Sequence, residues 1–187
     1  MTRKLFSFNM MTLDGFFEGS SKWDISWHNV DDEFNEFAIA QLNEIGTLLF
    51  GRVTYEGMAS YWSSPDGLKD DPIVAGLMNR IPKIVFSKTL TKAEWENTKL
   101  VRDNIIEEIS KLKQQSDKDI AVFGSANLMS ELMRMDLIDE HRVMVNPVVL
   151  GNGTPLFQTK DKLALKLQKT KTFKNGNVLL YYAPDKK

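Results

Sequence analysis

Three segments share one pattern: an apolar run ends in glycine or serine, and a basic or small residue follows at once. In Leu48-Leu49-Phe50-Gly51-Arg52-Val53-Thr54 a buried strand runs into Gly51, and a helix opens within a few residues. A helix N-terminus exposes free N–H groups and the positive end of a dipole, so it suits a phosphate. Arg52 adds a guanidinium able to grip a phosphate with two hydrogen bonds. The same residues also make an ordinary strand–turn–helix in which Thr54 caps. In Asp119-Ile120-Ala121-Val122-Phe123-Gly124-Ser125-Ala126-Asn127-Leu128 a strand again meets glycine, small residues and a helix. Small residues let a backbone approach a ligand closely. Only Gly124 is a glycine here, so the G-x-G-x-x-G fingerprint is absent and an ordinary dinucleotide Rossmann fold is disfavoured. In Ile84-Val85-Phe86-Ser87-Lys88 a strand ends in a hydroxyl and an amine, suited to a ribose phosphate or to plain solvation. Three such strands in one sheet would set these groups along one edge, and ligands of open α/β sheets lie outside the carboxyl ends of strands.

Two more segments carry candidates. Asn9-Met10-Met11-Thr12-Leu13-Asp14-Gly15 leads an apolar strand into a carboxylate and a turn. Asp14 is either a catalytic carboxylate or the hydrogen-bond acceptor of an Asx turn. In the run Val145-Asn146-Pro147-Val148-Val149-Leu150-Gly151, Pro147 marks a strand edge, a bulge or a ligand mouth. Trp23, Trp27 and Trp62 line an aromatic cleft or anchor loops. His28 and His141, the 2 histidines of the chain, lie far apart in sequence and read as structural or surface residues. No nucleophile or triad is evident.

The elements that must position these groups follow from periodicity and turn signals. Strands are expected at Leu5–Met11, Thr47–Phe50, Lys83–Ser87, Thr98–Val101, Asp119–Gly124, Arg142–Leu150, Leu163–Phe173 and Val178–Ala183. The last two are joined by an Asn-Gly hairpin at Lys174-Asn175-Gly176-Asn177. Phe34, Phe37, Ala38, Leu42 and Ile45 recur at helical spacing, with Asp31 or Asp32 as cap and Gly46 as stop. Further helices are expected around Tyr55–Ala59, at Ile73–Asn79 behind Pro72, from a capping box at Asn104 and Glu107, and at Ala126–Met135. Residues 16–31 and 63–72 read as loops. The order is β-α repeated and then a run of strands. It implies an α/β fold with a mainly parallel sheet, helices on both faces and an antiparallel C-terminal edge.

With 187 residues the chain suits one domain spanning 1–187. There is no cysteine, which excludes disulfides, thiolate nucleophiles and thiolate zinc sites; no metal site is expected. A net charge of -1 argues against a nucleic-acid partner. The absence of a long apolar run argues against a membrane span, and no signal peptide is read at the N-terminus. The expected location is the cytoplasm.

Taken together, these segments resemble the dihydrofolate reductase-like superfamily, and within it the branch of the pyrimidine reductase domain of riboflavin biosynthesis. The carrying residues are Thr12–Phe16, Leu49–Tyr55, Ile84–Ser87, Phe123–Leu128 and Pro147–Gly153, which fall in the family's order and cover nearly the whole chain. The resemblance implies a three-layer α/β/α domain that binds NADPH across the sheet edge. Gly51, Arg52, Thr54, Ser87 and Lys88 would hold the adenosine half, and Gly124, Ser125, Ala126, Asn127 and Leu128 the pyrophosphate. Met10 and Met11 would lie near the nicotinamide, with Asn146 and Pro147 on the substrate side. The implied reaction is hydride transfer to a C=N or C=O group of a small heterocyclic or ribosyl-pyrimidine substrate, 5-amino-6-(5-phosphoribosylamino)uracil in riboflavin biosynthesis. The proton comes from Asp14, Asp31 or water. The competing readings are a nucleotide-binding sensor on the same fold and an interaction scaffold. A homodimer is expected, joined through residues 142–150 and the C-terminal hairpin.

Overall fold

In a computed structural model, which describes residues 2–115 and 118–185, the chain builds one eight-stranded sheet and a small two-stranded one. The strands are β1 (Leu5–Thr12), β2 (Phe16–Glu18), β3 (Ile45–Gly51), β4 (Lys83–Phe86), β5 (Thr98–Val101), β6 (Asp119–Phe123), β7 (Glu140–Asn146), β8 (Thr154–Pro155), β9 (Leu165–Thr172) and β10 (Val178–Pro184). The helices are α1 (Asp32–Asn43), α2 (Arg52–Trp62), α3 (Pro65–Asp70), α4 (Pro72–Arg80), α5 (Ile105–Gln114) and α6 (Ala126–Arg134).

The large sheet runs β5-β4-β3-β6-β1-β7-β10-β9. The strands from β5 to β7 pair in parallel, and β10 pairs antiparallel with β7 and β9. Alternation along each central strand divides the core. Leu5, Leu49, Ile84, Ile120 and Val122 face α5 and α6, where Ile109, Leu128, Met129 and Leu132 meet them. Phe6, Leu48, Phe50, Val85 and Ala121 face α1, α2 and α4, packing on Leu42, Tyr55, Val74 and Leu77. Helices on both faces give the expected three layers. Burying one such side chain contributes roughly 1.5–3 kcal/mol, so the central strands fix the frame.

The sequence of strands also fixes a crevice. After β3 the chain moves outward to β4 and β5, then returns to place β6 between β3 and β1. Neighbouring β3 and β6 are followed by α2 and α6, which pack on opposite faces. Diverging helices leave a gap at the carboxyl ends of those two strands, the position where open α/β sheets bind ligands.

Several expected boundaries are corrected. Gly46 does not stop α1; it is buried inside β3, and the helix ends at Asn43 with Glu44 as its C-cap. Residues 65–70 form a helix because Ser64 accepts a hydrogen bond from Gly67 N–H (3.1 Å) and Pro65 starts it. Inside the loop expected at 16–31, β2 pairs with β8. Asn104 sits in the left-handed region and makes no side-chain cap, so the capping box does not form. β7 stops at Asn146, since Pro147 cannot donate to the ladder. Because β7 is paired on both edges, by β1 and β10, it offers no edge to a second copy; of the expected dimer segment only the β9 edge is open.

His141, on β7 beside Ser7 of β1, is 2% exposed, and its Nδ1 shares a hydrogen bond with Ser7 Oγ (2.9 Å). Burial lowers its pKa from 6.5 to about 4. The unfolded chain therefore binds more protons between those values, so stability is complete above pH 6.5 and falls as pH drops toward 4. The expected loss is about 3 kcal/mol. Urea unfolding at pH 7 and pH 4.5 checks it: His141→Gln should lose clearly less stability over that interval than the parent chain. Equal losses would show that His141 does not carry the effect.

Candidate functional site

The crevice at the ends of β3 and β6 opens into a cleft of about 470 Å³. Its floor is the meeting of two turns. Gly51 caps α2 and Ser125 caps α6, and neither helix has a side chain satisfying its first N–H groups. Gly124 and Ser125 both lie in the left-handed region, at φ 58° and 57°, which turns β6 sharply into α6. The turns touch: a Cβ on Gly51 would come within 2.4 Å of Ser125 Oγ, and one on Gly124 within 3.0 Å of Thr54 Cγ2. Two positive dipole ends therefore converge where only backbone fits, an arrangement whose free N–H groups can take anionic oxygens.

Three cations, from the ends of β3, β4 and β5, line the cleft. Arg52 lies at the start of α2, half-exposed, and its Nη1 donates to Glu56 Oε2 (3.0 Å). Lys88 is exposed at the end of β4. Arg102, after β5, reaches the carbonyls of Lys88 (3.4 Å) and Thr91 (3.2 Å) and so steadies the turn that carries Lys88. Ser87 lines the cleft, yet its Oγ accepts hydrogen bonds from the N–H groups of Thr89 (3.2 Å) and Leu90 (2.9 Å). Its hydroxyl shapes the turn first. On the β1–β2 side the lining carries the apolar Phe17, Trp23 and Ile25 with Glu18 among them, and Val53 adds to it from α2.

Of the residues singled out from sequence, Gly51, Arg52, Thr54, Ser87, Lys88 and Ser125 to Leu128 line this one cleft, and Gly124 lies directly behind Thr54. The contributions of Ala126 and Leu128 are backbone ones, because their side chains are buried. The other candidates are placed elsewhere. Asp14 lies outside the lining. Its Oδ1 accepts from Thr12 Oγ1 (2.6 Å) and Leu150 N–H (3.3 Å), and its Oδ2 accepts from Gly151 N–H (2.8 Å). The Thr12 hydroxyl, followed by these backbone N–H groups, lowers its pKa below the usual carboxylate value. These bonds tie the end of β1 to the Leu150–Gly151 turn. Asp31 caps α1 by accepting from Phe34 N–H (2.9 Å). Asn146 is fully buried; it accepts from Asn29 N–H (2.9 Å) and donates to the carbonyls of Met144 (3.2 Å) and Met11 (3.4 Å). Pro147 lies against the Gly176 turn. Met10 packs in a third apolar cluster with Met144 and Phe173, and Met11 packs against the α5–α6 core.

Sequence reasoning missed Arg102 and Phe17. Arg102 follows a short strand with no glycine to flag it, and Phe17 is brought in by a β2–β8 pairing that no local pattern announces. Of the three tryptophans weighed as cleft residues, Trp23 lines the cleft. Trp62 packs with the α1–α2–α4 core and Trp27 with the third cluster. Among the described residues no helix is long and apolar enough to cross a membrane.

Comparison with known proteins bears on the family and the fold. The model of the RibD C-terminal domain matches residues 3–180. The chain is 35% identical over 175 residues to the Bacillus subtilis (strain 168) protein YyaP, covering 92% of this chain and 90% of that one. In fold it is similar to a Shewanella sp. PV-4 protein named for riboflavin biosynthesis, at a TM-score of 0.75 and 21% identity with both chains covered at 100%. It is also similar to the dihydrofolate reductase of Enterococcus faecalis, solved with NADP(H), at a TM-score of 0.62 and 15% identity, again with both chains covered at 100%.

Proposed function

The chain belongs to the RibD C-terminal domain family, and from that membership and the cleft we propose an NADPH-dependent reductase of a small heterocyclic substrate. The substrate class to try first is 5-amino-6-(5-phosphoribosylamino)uracil and its close relatives. The observation that carries the reading is the convergence of two uncapped helix N-termini, α2 and α6, on a spot kept open by Gly51 and Gly124. Those N–H groups and Thr54 would hold the pyrophosphate. Arg52 and Lys88, with Arg102 behind them, would hold the adenosine side and its 2′-phosphate. When bound, NADPH supplies the hydride; the protein binds, orients and excludes water. A cytoplasmic homodimer taking neither nucleic acid nor membrane goes with this reading.

Thermal unfolding with NADPH, with NADH and without nucleotide tests it. A ligand that binds only the folded state adds about 2.7 kcal/mol at 100 times its Kd, which raises the Tm of a chain this size by roughly 5–10 °C. NADPH should give the larger rise, and Arg52→Ala and Lys88→Ala should narrow its lead over NADH. No rise with either nucleotide at millimolar concentration overturns the proposal.

One observation favours a second reading, a sensor that binds the nucleotide without turnover. Neither Asp14 nor Asp31, the two candidate proton donors, lines the cleft; the carboxylates that do are Glu18, which accepts the Trp23 N–H, and Glu131 of α6. Nucleotide oxidation driven by the pyrimidine substrate separates the two: binding without oxidation supports the sensor.

A further inference from the structure

Between β2 and α1 the chain makes a tight loop, with Gly19 N–H donating to Asp24 O (2.9 Å) and Asp24 N–H to Ser21 O (3.1 Å). At its tip Trp23 adopts φ 65°, in the left-handed region that a bulky side chain rarely takes. Its N–H donates to the Glu18 carboxylate. This backbone aims the indole at α2. A Cβ built on Gly57 would come within 1.9 Å of Trp23 Cζ2 and 2.3 Å of Cη2, so the ring lies on bare helix backbone. Glycine in mid-helix is unfavourable relative to alanine. Two locally unfavourable choices, a left-handed tryptophan and a mid-helix glycine, therefore meet at one contact. Neither is needed by the core, since Trp23 stays 37% exposed.

What the contact achieves is position. Val53 stands one helical turn before Gly57, and it lines the same cleft with Trp23 and Ile25, making an apolar shelf beside the uncapped start of α2. The indole N–H groups of Trp27, Trp62 and Trp95 each have an acceptor, whereas among the described residues that of Trp23 has none. One ring therefore offers a flat apolar face and a spare donor, in the loop that follows β1 and β2, whereas Lys88 and Arg102 follow β4 and β5 at the other end of the strand order.

We propose that Trp23, held on its Gly57 seat, is the stacking wall for the flat nitrogen heterocycle of a nucleotide lying on that side of the phosphates, away from the 2′-phosphate end. Trp23 is the binding residue and Gly57 the positioning residue. The proposal rests on the nucleotide reading above and adds to it which side chain grips which half of the ligand.

The test measures Kd for NADPH and for 2′-phospho-ADP-ribose, which lacks the nicotinamide, with the full chain and four variants. Stacking on one aromatic ring contributes roughly 1–3 kcal/mol per base, which converts to about a five- to 150-fold change. Trp23→Ala should weaken NADPH at least tenfold and the truncated ligand less than twofold. Trp23→Phe should recover most of the loss. Gly57→Ala favours the helix but displaces the indole, so it should weaken NADPH nearly as much as Trp23→Ala. The double variant should be no worse than Trp23→Ala alone, a non-additivity that general damage to α2 would not give. If the parent chain binds NADPH and both single variants bind it equally well, the proposal is overturned and the nucleotide reading stands. Equal losses for the two ligands overturn the assignment of the ring. If the parent chain binds neither ligand, the nucleotide reading falls, and this proposal with it.

Discussion

Gly51→Val is expected to raise the Kd for NADPH at least a hundredfold, about 2.7 kcal/mol of binding free energy, while the chain stays folded. Gly51 has φ -81° and ψ 163°, extended backbone that valine adopts readily, so the substitution is not strained by conformation. The effect is one of space. A Cβ at this position would lie 3.4 Å from Ser125 Cβ and 3.6 Å from Leu128 Cβ. The two methyl groups beyond it would fill the gap between the starts of α2 and α6. Phosphate oxygens could then no longer reach both sets of N–H groups. Gly51→Ala is the graded control. Its Cβ would meet Ser125 Oγ at 2.4 Å, yet a serine hydroxyl can rotate away, so alanine should weaken binding far less, and Ser125→Ala should relieve even that. Isothermal titration over the series checks the order. If Gly51→Val binds NADPH as well as the parent chain, the two helix starts do not form the phosphate site.

The contrast between Gly51 and Asp14 shows how much of the site was legible in the sequence. A strand running into glycine and then a helix is a local pattern, and the ends of β3, β4 and β6 came out correctly as neighbours along one edge. The hairpin at Asn175-Gly176 was legible for the same reason: Gly176 takes φ 93° and closes the turn between β9 and β10. Asp14 was ambiguous because its partners, the N–H groups of Leu150 and Gly151, lie 136 and 137 residues away. Trp23 was ambiguous in the same way, since nothing within the loop announces that its seat is Gly57. The segment at 63–72 misled for another reason. Serine, proline, aspartate and glycine make turns, but Ser-Pro also starts helices, and the choice falls to packing against α2 and α4. Asn146 and Pro147 were set on the substrate side by the resemblance alone; in the structure Asn146 ends β7 and ties it to Asn29, a contact between residues 117 apart in sequence.

Lys83→Met should lower stability by about 4 kcal/mol, the sum expected for two buried carbonyls deprived of their donor, with a Tm fall of roughly 8–16 °C. Lys83 opens β4 and is 1% exposed. Its ammonium donates to the carbonyls of Met78 (2.8 Å), Asn79 (3.0 Å) and Ile81 (2.8 Å), oxygens at the end of α4 that no later turn can satisfy. A cation also suits the negative end of that helix. The same ammonium lies 4.5 Å from the centre of the Trp95 ring, and Trp95 binds Asn79 through Nε1 (2.6 Å) and Tyr55 through its backbone N–H (2.9 Å). One charge therefore joins α2, α4 and β4. Burial lowers its pKa to about 8, so at neutral pH it keeps three N–H donors for three acceptors. Methionine preserves the stem's volume but leaves the Met78 and Ile81 carbonyls without the Lys83 donor, each at a cost of about 1–3 kcal/mol, while the Asn79 carbonyl keeps its bond from Asn97 Nδ2 (3.1 Å). Denaturant unfolding at pH 7 checks the loss, and a change under 1 kcal/mol would show that the cage contributes little. Lys83 lies at the far end of β4 from the cleft, so near saturating nucleotide the variant should show the parent's ligand-induced rise in stability on a lower baseline. A variant that lost stability and nucleotide response together would instead tie the α4–β4 junction to the placement of Lys88.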